Sequence, residues 1–136
     1  MFEILEHPAD IGFRARGRTL EELFEASAEA LISLALEIET VQSLERYALS
    51  AVGEDIEALL VNWLSEVLWL LDGRQIALRQ LRVTELGGGS VRGEAQGEPR
   101  DPARHRAKLM VKGVTYHQLE VARDATGWRA QVFLDI

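Results

Sequence analysis

The chain has 136 residues, of which 47% are apolar and 27% charged, and it carries a formal charge of −7 at neutral pH. That length suits one domain, and it allows burial of roughly two-thirds of the surface an unfolded chain exposes, so no disulfide or metal is needed to hold a core. There is no cysteine, which excludes disulfide scaffolds, thiolate zinc sites, iron–sulfur clusters and cysteine nucleophiles.

Charge is divided unevenly. Residues 1–72 carry 15 acidic and 4 basic side chains, residues 73–136 carry 7 and 11. Displacing counterions from phosphates needs a basic face, so a pI near 5.0 argues against stand-alone nucleic-acid binding while leaving room for a local docking patch in the second half. Met1–Glu6 lacks a basic region followed by an apolar one, and no apolar run approaches the ~20 residues that span a bilayer. A soluble, cytoplasmic protein with no membrane segment is expected.

In chain order, Phe2–Glu6 and Ile11–Arg16 read as strands. Thr19 and Glu22 form a capping box for a helix that places Leu20, Phe24, Ala28, Leu31 and Leu34 on one face and acidic residues on the other. Tyr47–Val52 reads as a strand. Asp55–Asp72 reads as a second, central helix, with Ile56, Leu59, Leu60, Trp63, Leu64, Val67, Leu68 and Leu71 at helical spacing and Gly73 in the C′ position. Four strands follow: Ile76–Leu86, Val91–Gly97, Val111–Ala122 and Trp128–Leu134. Gly87–Ser90 and Asp124–Gly127 read as hairpin loops. No repeat or linker interrupts this order. It predicts one α+β domain over residues 1–136, two helices packed on mainly antiparallel sheet.

Four segments carry groups with chemical potential. His7-Pro8-Ala9-Asp10-Ile11-Gly12 joins the first two strands, and Asp10 there reads either as an Asx-turn residue or as a functional carboxylate. The stretch 97–108 holds Glu98, Arg104 and His105 among further cations, and reads either as a solvated loop or as a docking segment. Neither it nor Gly87–Gly89 is a Walker-type phosphate cradle, since no lysine and helix follow the glycines. In Val111-Lys112-Gly113-Val114-Thr115-Tyr116-His117, Lys112 is expected in an interior strand, where its ammonium needs an anion. Finally, Leu134-Asp135-Ile136 puts the Asp135 carboxylate close to the α-carboxylate of Ile136. Clustered carboxylates repel unless a proton or cation intervenes. If Asp10 joins them, the donor set is all hard oxygen, suited to Ca²⁺ or Mg²⁺.

Taken together, His7–Gly12, Thr19–Phe24, Gly53-Glu54-Asp55 with Leu59–Leu64, Gly97-Glu98-Pro99, Arg104-His105, Val111–His117 and Leu134–Ile136 resemble the archease family, in the family's order from first residue to last. The resemblance implies a non-enzymatic partner, with no catalytic residue, of the guanylylating RNA ligase that joins tRNA exon halves and repairs broken RNA. It implies faster formation of the ligase's histidine–GMP intermediate, multiple turnover, and contact with RNA only through the ligase. It also implies a calcium ion, with Mg²⁺ or another hard divalent cation as a substitute, held by Asp10, Asp135 and the Ile136 carboxylate. His7, Glu98, Arg104, His105 and Lys112 become candidates for partner contact. Pro8 departs from the family's usual threonine and Gly113 from its usual alanine. The rival readings are a metal-dependent hydrolase of a phosphoester or other small substrate, using His7 or His105 as general base, and a small-molecule-binding domain.

Overall fold

The computed structural model describes residues 1–6 and 10–136. The chain forms strands β1 (Phe2–Glu6) and β2 (Asp10–Gly17), helix α1 (Leu20–Ala35), strand β3 (Glu45–Val52), helix α2 (Ile56–Leu68), and strands β4 (Ile76–Gly87), β5 (Ser90–Pro99), β6 (Gly113–Val114), β7 (Glu120–Asp124) and β8 (Gly127–Asp135). One sheet runs β1-β2-β8-β6, with β7 also paired to β8; the other runs β3-β5-β4. Every pairing is antiparallel, so the expected α+β architecture is the observed one.

α1 begins as its capping box dictates. The Thr19 hydroxyl accepts from Glu22 N–H at 3.1 Å, and the Glu22 carboxylate accepts from Thr19 N–H at 3.3 Å and Arg18 N–H at 2.7 Å. Its buried surface is wider than the expected stripe and includes Leu23, Ala30 and Ile32, because α1 touches strands of both sheets as well as α2. On α2, the fully buried Trp63 donates its indole N–H to the Phe24 carbonyl at 3.1 Å. The same ring lies against β5 at Gly93, where a Cβ would approach it to 2.5 Å. One apolar cluster from both helices and both sheets results.

Two expected elements need correction. α2 does not close on a left-handed Gly73; its end widens into a π-helical turn, Trp69–Gly73, and the positive φ falls on Gln75 at 54°. A Cβ at Gly73 would lie 2.1 Å from the exposed Trp69 ring, so a larger residue there would displace that ring. The expected strand Val111–Ala122 is two short strands, β6 and β7, both on the same edge of β8. Thr115 makes the last bond of the first: its N–H and its hydroxyl both donate to the Phe133 carbonyl at 3.1 Å, and the hydroxyl accepts from His117 N–H at 3.2 Å as the chain leaves β8. The chain then turns through Gln118 with φ 51°. Lys112 is consequently an exposed residue at the mouth of β6, not an interior strand lysine.

Candidate functional site

β2 and β8 are central neighbours, and their register pairs Asp10 with Asp135 and Gly12 with Phe133. Directly opposed residues of an antiparallel pair share a face, with Cβ atoms roughly 5 Å apart. The two carboxylates therefore stand side by side at the end of the sheet, and the α-carboxylate of Ile136 follows Asp135 immediately. On β8's other side, Asp135 is paired with Gly113, and its carbonyl accepts from Lys112 N–H at 2.8 Å. These bonds fix the backbone that presents Asp135. Asp10 is half-buried, Asp135 exposed.

The next pair along the same face explains the glycine of the opening motif. Phe133 is buried, and its ring covers Gly12, where a Cβ would meet it at 2.7 Å. His117 closes on that ring edge-on at 6.0 Å. The Phe133 ring thus lies next to the carboxylate pair on the same face of the sheet. Like charges directly opposed across strands are destabilising, and this donor set, two carboxylates beside an α-carboxylate, is the all-oxygen chemistry a hard cation requires. Among the described residues no three His, Cys, Asp or Glu side chains gather around one point. At Gly113 a Cβ would meet nothing within 4 Å, so the family's alanine would fit. His7 and Pro8 lie outside the described residues.

Glu98, Arg104 and His105 are brought together as well, in a buried lock. Glu98, the penultimate residue of β5, is 3% exposed and His105 1%. Asp101 N–H donates to His105 Nδ1 at 2.8 Å, which assigns the ring proton to Nε2, and Nε2–H then donates to Glu98 Oε2 at 2.9 Å. Arg104 grips both carboxylate oxygens, at 2.9 Å from Nη1 to Oε2 and through Nη2 to Oε1. Gln42 N–H donates to the same carboxylate at 2.7 Å. The Arg104 guanidinium first, then the Gln42 amide, pull the Glu98 carboxyl down to about 2. Glu98 and His105 have no surface to offer a partner; they anchor the loop that displays Arg104, whose side chain is 42% exposed. The pattern of the loop gives no hint of Gln42, 56 residues away from Glu98, or of Asp101 as the residue that sets the tautomer.

A cleft of about 640 Å³ lies elsewhere, between α1, β4, the end of β2 and the β7–β8 turn. Of its three acids, Glu22, Glu25 and Glu29, the first serves the capping box and the second accepts from Val83 N–H at 2.8 Å, covering a bulge of β4. Both are committed to the fold.

The sequence matches the Archease protein family over residues 2–136. It is 39% identical to protein archease of Methanosarcina mazei across 99% of this chain and 95% of the relative. Protein archease of Pyrococcus furiosus is 38% identical, with 99% and 98% covered. The fold superposes on the solution structure of Methanobacterium thermoautotrophicum protein 1598 with a TM-score of 0.82 at 29% identity, over 99% of this chain and 98% of that one. A Thermotoga maritima protein described as an archease, possible chaperone, shares the fold at a TM-score of 0.66 and 21% identity, over 97% and 94% of the two chains. The chain therefore belongs to the archease family. The names of the family and of these relatives designate no catalysed reaction. Among the described residues, no helix is long and apolar enough to cross a membrane.

Proposed function

We propose that the protein is the accessory factor of a guanylylating RNA-splicing ligase, promoting formation of the ligase's histidine–GMP intermediate and its repeated turnover in tRNA splicing and RNA repair. Family membership supplies the class of function. The observation that carries the site is the register of β2 against β8, which opposes Asp10 to Asp135 beside the chain's last carboxylate. In this reading Asp10, Asp135 and the Ile136 carboxylate hold Ca²⁺, or another hard divalent cation. The ion supplies positive charge at an end of the sheet that would otherwise repel the phosphates and carboxylates of a partner's active site. Lys112 stands beside that end as an exposed cation, and the Glu98–His105 lock holds in place the loop that displays Arg104. Contact with RNA runs through the ligase, because a chain of charge −7 is poorly suited to hold a polyanion alone.

The deciding experiment is a ligation time course with the cognate ligase limiting, with and without this protein. Turnover beyond one equivalent of ligase only in its presence is expected. Identical time courses would refute the assignment, and hydrolysis of RNA or phosphoesters by the isolated protein would favour the hydrolase reading instead.

A further inference from the structure

Apart from the carboxylate end, a groove of about 290 Å³ runs between the C-terminal end of α1, the π-helical turn after α2 and the extended segment 107–111. Its walls include Leu36, Leu68, Leu71 and Met110, and its charged margin carries two cations, Arg100 and Lys108, against one exposed carboxylate, Asp72. Three features mark it as unfinished. First, Arg100 is half-buried, yet no carboxylate among the described residues lies within ion-pair distance of it; its Nη2 donates only to the His105 carbonyl at 3.2 Å, and its Nε is buried without an acceptor. A guanidinium drawn out of water without a counter-ion is costly. Lys108 also lacks a carboxylate: its ammonium donates to the Ser33 carbonyl at 2.7 Å and keeps further donors. Second, Met110 is 76% exposed. Exposed methionine is an adaptable docking surface, and π turns interrupt helices preferentially at functional sites. Third, among the described residues the Met110 amide donates to no backbone carbonyl, which leaves it for a chain laid alongside.

We propose that this groove binds an extended segment of a partner protein in which an apolar side chain neighbours a carboxylate. The apolar side chain lies on Leu36, Leu68, Leu71 and Met110, and the carboxylate meets Arg100 and Lys108. RNA fits less well: the lining contains no aromatic ring on which a base would stack. The inference goes beyond the ligase reading and uses neither the cation nor GMP transfer.

The test uses a fluorescein-labelled heptapeptide of alternating leucine and glutamate, the same peptide with glutamine for glutamate, and a labelled decamer of uridylate, each titrated with the intact protein by fluorescence anisotropy. Saturable binding of the glutamate peptide is expected, weakened about tenfold with glutamine and about tenfold again by Met110→Asp. Lys108→Gln should weaken it severalfold. Met110→Asp alters an exposed side chain, so its melting curve should match that of the wild type. No saturable binding below about 1 mM, equal affinity for the two peptides, tighter binding of the uridylate decamer, or an unchanged affinity in Met110→Asp would each overturn the proposal. Because the probes contain no ligase, these outcomes are independent of the ligation time course.

Discussion

The opposition of Asp10 and Asp135 predicts a substitution whose effect on stability reverses sign with calcium. In the wild type without metal, the cross-strand carboxylates repel, at a cost of about 0.2–1 kcal/mol for a directly opposed pair. Asp135→Asn removes that repulsion and leaves the main chain untouched, since the hydrogen bond to Lys112 is made by the Asp135 carbonyl. In chelator and low salt the variant should therefore melt slightly above the wild type, by about 1–4 °C for a domain of this size. With calcium the order inverts. A ligand that binds only the native state at a hundredfold excess over Kd adds about 2.7 kcal/mol, which corresponds to a rise of roughly 8–13 °C. Loss of one of three anionic donors should remove most of that rise from the variant. Differential scanning calorimetry of both proteins, with calcium and with chelator, gives four melting temperatures whose crossing is the signature. Parallel calcium shifts in the two proteins would refute the site, and a variant less stable than the wild type in chelator would refute the repulsion on which the argument rests.

Three further outcomes follow from the same geometry. A C-terminal extension converts the Ile136 carboxylate to an amide and should abolish both the calcium shift and ligase stimulation, whereas an extension before Met1, 87% exposed, should leave both intact; equal behaviour of the two forms would remove the terminal carboxylate from the site. Glu98 has its folded-state pKa depressed from 4.5 to about 2, so its contribution is complete above about pH 4.5 and is lost as pH falls toward 2. Melts across that window should fall more steeply for wild type than for Glu98→Gln, and matching slopes would show that the lock does not contribute. Arg104→Ala should lower both the melting temperature and the initial rate of ligase–GMP formation, because the guanidinium is Glu98's principal partner, while Lys112→Ala, exposed and outside the lock, should lower only the rate. Full stimulation by both variants would place the functional surface elsewhere.

Local rules were enough for the elements that local contacts build. Thr19 and Glu22 announce α1 because both capping bonds close within three residues, and Gly88 and Gly89, at φ 61° and 78°, announce the β4–β5 turn because few other residues adopt that backbone. The alternation on β8 separates Phe133 and Asp135 from the core-facing residues, but it cannot say which strand lies alongside. Asp10 and Asp135 are 125 positions apart, and the resemblance to the archease family joined them before the register did. Alternation also failed across Val111–Ala122, where it predicts one strand, because the chain leaves the ladder after Thr115, whose hydroxyl accepts from His117 N–H, and turns through Gln118 at φ 51°.

The Glu98–Arg104–His105 loop shows why exposure is the hardest property to read from a polar segment. Composition assigns such residues to the surface, and for Arg104 that is partly right. Glu98 and His105 are buried because each finds a partner that pattern does not reveal: a backbone amide from Gln42 for one, and for the other an amide from Asp101 that fixes which nitrogen carries the proton. A buried carboxylate is tolerated only when its oxygens are met by donors in good geometry, and here four donors converge on it. Their common effect is positional. The lock ties the end of β5 to the loop that displays Arg104, and the same loop continues into segment 107–111, which walls the apolar groove and leads to Lys112 beside Asp135. A change at Glu98 should accordingly be felt at the groove and at the carboxylate end together, although it touches neither.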